Sequence, residues 1–143
     1  MSITEIIDDY REKRKRTARL YDRYQEARSK AATPPSSGIY TEIKTKGTGS
    51  REDLYIKMIN AGEKWQLAAL EELEARQRLF SFIIELKDTD EMEILYFHFI
   101  DGTTIKEIPK NWPGDISERQ IFRKLKSGLE HLEAITAGED PEE

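Results

Sequence analysis

The sequence predicts an all-α protein in which a long antiparallel, coiled-coil-like helical hairpin is followed by a small three-helix helix-turn-helix unit. Three observations lead to this class. Residues 3–32 and 51–86 carry apolar side chains at spacings of three and four, the period of amphipathic helices. Residues 33–50, between them, are rich in Pro, Ser, Gly and Thr, which interrupt helices. Residues 88–132 contain three further helix-start signals at short intervals.

The composition is typical of a soluble, intracellular protein. Of the 143 residues, 36% are charged and 37% are hydrophobic, with no cysteine, and the mean hydropathy is -0.73. The lack of cysteine excludes disulfides and thiolate metal sites, and it suits a reducing cytosol. Residues 1–8 lack a secretory start, and apolar runs such as 94–100 are too short to cross a bilayer. We therefore expect a cytoplasmic protein that does not contact a membrane.

Charge is unevenly distributed along the chain, whose net charge is -5. Residues 1–32 hold nine Lys and Arg against six Asp and Glu, and residues 102–130 hold six against four. Residues 51–101 show the reverse, with six basic and twelve acidic residues. A local basic face can bind phosphate on a protein that is acidic as a whole. Ordinary mixed surface charge is the alternative interpretation of the two basic segments.

The first helix begins at Ser2-Ile-Thr-Glu5, a capping box in which hydroxyl and carboxylate satisfy free backbone N–H groups. It is predicted to run to about Ala32. Basic residues between Tyr10 and Thr17 interrupt its apolar stripe. The basic stretch Lys13–Arg19 either contacts a DNA backbone or pairs with acidic residues of the second helix. The complementary charges favour the internal pairing. The stripe comprises Ile3, Ile6, Ile7, Tyr10, Thr17, Leu20, Tyr21, Tyr24, Ala27 and Ala31.

A loop and a second long helix follow. We predict a mobile loop over residues 33–50, since the alternating segment 39–44 has no visible partner strand. Ser50 caps a helix that runs to about Leu86. A bare hairpin buries too little apolar surface to be stable alone, so we expect hairpins of two or more chains to pack as a homodimer or higher homo-oligomer. The stripe of this helix comprises Leu54, Met58, Ala61, Trp65, Ala68, Ala69, Leu73, Phe80, Ile83 and Ile84.

The helix-turn-helix unit begins with a short acidic helix. Asp88 and Glu91 stand in capping-box register and start a helix over about residues 90–100. Asp101-Gly102 ends it, because glycine adopts the left-handed conformation that terminates helices.

Two more short helices follow the first. Thr104-Ile-Lys-Glu107 is another capping box, but Pro109 and Pro113 end its helix early. Ser117-Glu-Arg-Gln120 starts a third helix, which runs to about Ala134. The inward face of this third helix is predicted to comprise Ile121, Phe122, Leu125, Leu129 and Leu132.

These elements divide the sequence into three segments. Residues 1–87 form the helical hairpin, with its flexible loop at 33–50, and serve oligomerisation. Residues 88–135 form the helix-turn-helix unit. Residues 136–143 are acidic without a basic residue, and we expect a disordered tail.

The third short helix has the chemistry of a DNA-reading helix. The N-terminal residues of such a helix reach base edges in the major groove. Arg pairs with guanine and Gln with adenine through two hydrogen bonds each, so Arg119, Gln120 and Arg123 are predicted to read bases. A small helical cap with a solvated basic face is the alternative. The predicted phosphate contacts are Lys106, Lys124, Lys126, Thr103 and the backbone N–H groups that start the second short helix at Thr104.

Two stretches resemble region 4 of sigma factors. Residues 93–108 read as an acidic-aliphatic first helix and a capped second helix that ends in Glu-Ile. Residues 116–125, with the Ser-Glu-Arg that opens the reader helix, and residues 129–132 continue the likeness. Together with the long charged helices before them, they resemble phage-encoded transcriptional regulators of the ArpU/RinA late-operon type.

The resemblance implies binding to double-stranded DNA near a phage promoter in the cytoplasm of a bacterial host, and contact with host RNA polymerase. It assigns base-reading and phosphate positions to the N-terminal turn of the third helix. The chain departs from the sigma pattern after Ile108, where Pro109 and about two extra residues rebuild the turn around Trp112. That departure bears on the angle of the reader helix. The matched positions are Ser117, Glu118, Arg119, Gln120 and Arg123.

No pattern in the sequence predicts an enzyme. His98 and His131 lie on separate helices without a second histidine three or four residues away, so neither a metal site nor a catalytic base is expected. Gly47-Thr-Gly49 lacks the Lys and the helix of a phosphate-binding loop. We expect no catalytic residue, no metal and no cofactor.

Three functions stay open from the sequence. The first is a DNA-binding transcriptional regulator that acts as a dimer. The second is a phage DNA-packaging subunit of the small-terminase type, which also joins a helix-turn-helix to oligomerising helices but forms rings. The third is a sigma-like interaction module that binds RNA polymerase without reading DNA. The number of copies separates the first two, and replacement of Arg119 and Arg123 by Ala separates the third.

Overall fold

A computed structural model describes residues 2–32 and 51–138 of the chain. Within them the protein is all-α, with a long helical hairpin followed by smaller helices, which confirms the predicted fold class. The predicted loop 33–50 and residues 139–143 of the tail lie outside the described residues. The elements are α1 (Ile3–Ala32), α2 (Arg51–Ile83), α3 (Thr89–Leu95) with a π-helical turn (Tyr96–Ile100), a 3-10 helix (Ile108–Asn111) and α4 (Glu118–Thr136).

None of the helices in these two ranges is both long enough and apolar enough to cross a membrane.

The chain divides into two compact units. Met1–Arg11 together with Leu73–Glu143 form one, here named the core unit, and Glu12–Glu72 form the other, the hairpin unit. The predicted segment 1–87 therefore contributes residues to both.

The predicted capping signals at Ser2 and Asp88 start their helices where the sequence places them. The Glu5 backbone N–H donates to Ser2 Oγ at 3.3 Å. Asp88 Oδ1 accepts from the backbone N–H groups of Asp90 at 2.9 Å and Glu91 at 3.2 Å. These bonds satisfy N–H groups that a helix leaves without an intrahelical acceptor, so the boundaries follow from local sequence.

Aromatic stacking holds the hairpin unit together. The Trp65 ring lies with its centroid 5.0 Å from that of Tyr21 and 5.4 Å from that of Tyr24, nearly parallel to the latter. Gly62 admits the Tyr24 ring, since a Cβ at that position would lie only 3.2 Å from Tyr24 Cε1. Ring pairs at these separations favour association beyond the area that they bury.

Polar contacts further along the hairpin fix the antiparallel direction. Thr17 Oγ1 lies 3.1 Å from the Ala68 carbonyl oxygen and 2.9 Å from that of Lys13, and its single O–H is shared between the two acceptors. Arg16 Nη1 lies 3.6 Å from Glu71 Oε2. As the residue numbers fall along α1, the residue numbers of their contact partners rise along α2. The two helices therefore run in opposite directions. The Arg16–Glu71 pair is one instance of the predicted pairing between the basic stretch and acidic residues of the second helix.

The hydrophobic core of the described residues lies in the core unit. It is built from the start of α1, the end of α2 and all the C-terminal helices. Tyr10 adds a buried polar link, because its hydroxyl donates to the Ile100 carbonyl at 3.1 Å. The side chains with the least exposure are Ile3, Leu79, Ile83, Ile94, Leu95, Ile108, Ile121 and Leu132.

Helix α2 has two apolar faces where the sequence suggested one stripe. Ala68 and Ile83 of the predicted stripe are buried, whereas Leu73, Phe80 and Ile84 are exposed. Consecutive residues of a helix point about 100° apart, so a stripe that includes both Ile83 and Ile84 covers two faces of the helix.

The second short helix is smaller than predicted. Residues 105–107 form a turn, and only the four residues of the 3-10 helix follow. Pro109 has no backbone N–H and cannot occupy the interior of an α-helix. Trp112, at the end of the 3-10 helix, is half-buried against the core.

Candidate nucleic-acid interface

Helix α4 is anchored at its start by a complete capping box. The Gln120 backbone N–H donates to Ser117 Oγ at 3.2 Å, and the Ser117 backbone N–H donates to Gln120 Oε1 at 2.9 Å. The reciprocal pair satisfies two N–H groups that would otherwise have no partner within the helix. Ile121, Leu125 and Leu132 bury the opposite side of the helix in the core.

Three basic side chains share the solvent-facing side of α4. Arg119, Arg123 and Lys126 are all exposed, and their spacings of four and three residues place them on one face. Ile121 and Leu125 lie on the other side of the helix and are buried. The basic face of α4, defined as these three residues, occupies the N-terminal half of the helix, and the acidic Glu130 follows one turn later.

Three of the predicted contact residues on α4 and its cap are engaged elsewhere. The carbonyl oxygen of the Gln120 side chain belongs to the capping box, so two-pronged adenine recognition would require Gln120 to leave the cap. Lys124 Nζ lies 3.4 Å from Asp90 Oδ2 on α3, and its side chain is only 35% exposed. Ser117 serves as the cap itself, and Glu118 is exposed in the first turn.

The turn between the π-helical segment and the 3-10 helix holds the remaining predicted residues. The Thr103 backbone N–H donates to the Phe97 carbonyl at 2.8 Å, while Thr104 Oγ1 accepts from the Glu107 N–H at 3.3 Å. No α-helix starts here, and the Thr104 oxygens engage the N–H groups of Glu107 and Ile108. The α-helix start that the prediction assumed does not form here, and phosphate binding by this turn stays a prediction. Lys106 is exposed in this turn.

A buried carboxylate connects α3 to α4. Glu91 is only 4% exposed; its Oε1 accepts from Ser127 Oγ at 2.7 Å and its Oε2 lies 2.8 Å from His131 Nδ1. Because Ser127 and His131 are one turn apart on α4, the two bonds fix the rotation of α4 about its axis. The orientation of the basic face therefore depends on Glu91.

The sequence suggested a different role for Glu91 as the second half of a capping box. Only the Asp88 half of that box forms. The spacing of Ser127 and His131 by four residues was the one available signal for the cluster, and such a spacing is common on helices. The site therefore includes a positioning cluster of Glu91, Ser127 and His131 that sequence reasoning missed.

The helices also approach closely beside this cluster. A Cβ on Gly128 would lie 2.8 Å from Leu95 Cδ1 and 3.5 Å from Glu91 Cβ. Glycine at this position lets α4 pack against α3 with little separation. The contact supports the same alignment of α4 that the Glu91 hydrogen bonds enforce.

Phe122 differs from its predicted place on the inward face of α4. Its side chain is 56% exposed, because one step along a helix turns a residue about 100° away from buried Ile121. The ring lies beside the basic face. An exposed aromatic at this position can contact a thymine methyl group or an apolar protein surface.

Two further observations bear on chemistry. Residues 2–32 and 51–138 contain no group of three or more His, Cys, Asp or Glu side chains arranged to hold a metal ion. His98 Nδ1 lies 3.0 Å from the Thr103 carbonyl oxygen, which ties the ring to the turn that precedes the 3-10 helix. The main features of the site are thus a basic helix face and the contacts that orient it.

Comparison with known proteins identifies a family. No curated protein and no solved structure matches the chain. The family DUF1492, described as a protein of unknown function, matches residues 35–133, which are more than half of the 143 residues. The match covers α2, both short helices and most of α4, including the basic face and the Glu91 cluster. The chain belongs to the DUF1492 family.

Proposed function

We propose that this protein is a transcriptional regulator, without enzymatic activity, that binds double-stranded DNA through the basic face of α4. The main observation in its support is that Arg119, Arg123 and Lys126 share one solvent-facing side of a helix whose other side is buried. Such a helix fits the major groove of B-DNA, where its N-terminal half meets base edges.

The proposed division of labour follows from side-chain chemistry. Arg119 and Arg123 offer the planar forks that pair with guanine, and they provide sequence preference. Lys126 and Lys106 contact phosphates, which fix the register without reading sequence. Gln120 and Lys124 contribute only where DNA displaces their contacts with Ser117 and Asp90.

The resemblance of residues 93–132 to sigma region 4 supports the same proposal. It adds that the regulator is phage-encoded, of the ArpU/RinA late-operon type, and acts at a phage promoter in the cytoplasm of its bacterial host. Contact with host RNA polymerase is part of this proposal.

The test is selection from a pool of random duplexes, followed by fluorescence anisotropy on the selected sequence. We expect the selected duplex to bind about 10³-fold or more tightly than an unrelated duplex. Arg119→Ala/Arg123→Ala should weaken binding by at least about tenfold, since each two-pronged contact contributes about 1–3 kcal/mol of discrimination. The matched control is Arg23→Ala/Arg28→Ala, which removes the same charge from α1.

Two outcomes would contradict the proposal. The first is that no sequence is enriched and no duplex binds even at low salt, where phosphate contacts are strongest. The second is that both double variants bind the selected duplex as tightly as the unchanged protein.

Protein docking on RNA polymerase is a second candidate, and two observations favour it. The helix that precedes a reader helix normally crosses the DNA backbone, and here it is reduced to four residues. Phe122 also presents an exposed ring beside the basic face. A pull-down with purified RNA polymerase that fails with Phe122→Ser, together with absent DNA binding, would favour this candidate over the first.

A further inference from the structure

Helix α2 carries exposed apolar side chains that no described residue covers. Seven of the ten large hydrophobic side chains that are exposed in the described residues lie on α2. In the hairpin unit they lie about 100° or more around the helix from Ala68, the buried residue whose carbonyl accepts from Thr17 of α1. Those in the hairpin unit are Tyr55, Ile56, Ile59, Leu67 and Leu70.

The spacing of this face is that of a coiled-coil seam. Ile56, Ile59, Glu63, Gln66 and Leu70 follow one another at intervals of three, four, three and four residues, and all five are exposed. Such a repeat places every member on the line along which two helices pack. These five residues are named the α2 seam. In the sequence the same spacing continues through Leu73, Gln77, Phe80 and Ile84.

The size of the patch fits an interface. Three apolar residues of the seam and two that flank it, Tyr55 and Leu67, are each about half exposed. Together these five side chains present on the order of 400 Å² of apolar surface, a size that marks interaction sites on soluble proteins. At roughly 60% apolar area, the interface would bury about 700 Å² on each copy, near the ~800 Å² per partner of a stable complex.

We propose that the α2 seam binds the α2 seam of a second copy of this chain in antiparallel orientation. In this arrangement Ile59 packs against Leu70 of the second copy, and Glu63 faces Gln66 of the second copy. Twofold symmetry then repeats both contacts. The dimer goes beyond the proposed DNA binding and does not depend on it.

The polar members of the seam determine the orientation. In a parallel pair, Glu63 of one chain would face Glu63 of the second copy. Two carboxylates would then lie together in a partly desolvated interface, which is unfavourable. In the antiparallel pair the Gln66 amide N–H group donates to the Glu63 carboxylate, a hydrogen bond strengthened by charge. Each polar seam residue therefore finds its complement within the same five positions. That self-complementarity favours a second copy over an unrelated helix.

The first test is sedimentation equilibrium of the full chain at micromolar concentration. We expect a dimer, and we expect Ile59→Lys and Leu70→Lys each to weaken self-association more than tenfold. Phe122→Lys is the matched control, since it replaces an equally exposed apolar side chain in the other unit. Both seam residues are exposed in the chain, so the helical circular-dichroism signal should be unchanged in all variants. A monomeric unchanged protein, a larger assembly, or seam variants that associate normally would overturn the proposal.

The second test is disulfide cross-linking, which the absence of cysteine in the chain makes clean. Ile59→Cys/Leu70→Cys should form a cross-linked dimer on oxidation, because the antiparallel register places each cysteine beside its partner. Ile59→Cys alone should stay uncross-linked, since the two copies of residue 59 lie about 16 Å apart along the axis. Rapid cross-linking of the single variant would indicate a parallel pair and overturn the proposed orientation.

Discussion

The core unit and the hairpin unit bury their apolar residues in different ways. The whole hydrophobic core cluster belongs to the core unit, where three-dimensional packing of short helices leaves its largest side chains inaccessible. In the hairpin unit the buried residues are Ala31, Ala68 and Thr17, while large residues such as Leu67 are exposed. Two helices alone present too few faces to enclose a core.

The difference indicates how the two units are stabilised. The core unit is stabilised by the apolar side chains that it buries within one chain. Those side chains include the inner face of α4, so the same packing orients the basic face of that helix. The hairpin unit relies on an aromatic stack and a few polar contacts within one chain, and it keeps an apolar face available. Mutations of comparable side chains in the two units should therefore have very different costs.

The largest expected effect is on the free energy of unfolding after truncation in the core. Leu132 is fully buried, so Leu132→Ala should cost about 2–5 kcal/mol through lost transfer energy and the cavity that remains. Leu67→Ala, in the hairpin unit, should change it by less than about 0.5 kcal/mol. Urea denaturation measures both, at a protein concentration low enough to suppress self-association. If the two substitutions lower the free energy of unfolding equally, the two units do not differ in how they bury apolar residues.

A medium effect is expected at the buried carboxylate. Glu91→Ala leaves Ser127 and His131 without their acceptor and should cost about 1–3 kcal/mol. Glu133→Ala, an exposed glutamate on the same helix α4, is the control and should cost less than about 0.5 kcal/mol. A double-mutant cycle of Glu91→Ala with Ser127→Ala should give a coupling energy of about 0.5 kcal/mol or more. If the unfolding free-energy costs of the two single variants simply add, the Glu91–Ser127 hydrogen bond does not hold α4 in place.

The smallest effect is expected at the ion pair of the hairpin. Arg16 and Glu71 have side chains that are 63% and 50% exposed, so solvent screens their attraction. Arg16→Ala should change the free energy of unfolding by less than about 0.5 kcal/mol. A loss above 1 kcal/mol would mean that the basic stretch contributes more to the hairpin than its geometry suggests.

The fold class could be predicted because its signals are local. Helical periodicity and capping residues act over a few positions, and the bonds of Ser2, Asp88 and Ser117 form where the sequence placed them. The short second helix was foreseen in part from Pro109. The choice between the two apolar faces of α2 was not predictable, because each face has helical spacing and only packing decides which is buried.

The candidate site was predictable to a lesser extent. The exposure of Arg119, Arg123 and Lys126 follows from their positions opposite the buried residues of α4. The Glu91 contacts join residues 36 and 40 positions apart in the chain, and no local pattern reports such distances. The sequence offered two roles for Gln120, a helix start with Ser117 and base reading. Only the structure shows that the side chain is held in the cap.

The most direct test of DNA binding by the basic face is a backbone amide NMR titration with the selected duplex. We predict that chemical-shift changes will concentrate at residues 103–106 and 117–126, in the core unit. Changes confined to residues 13–19 of α1 would assign binding to the N-terminal basic stretch. Either that result or the absence of any change would contradict the proposal that α4 reads DNA.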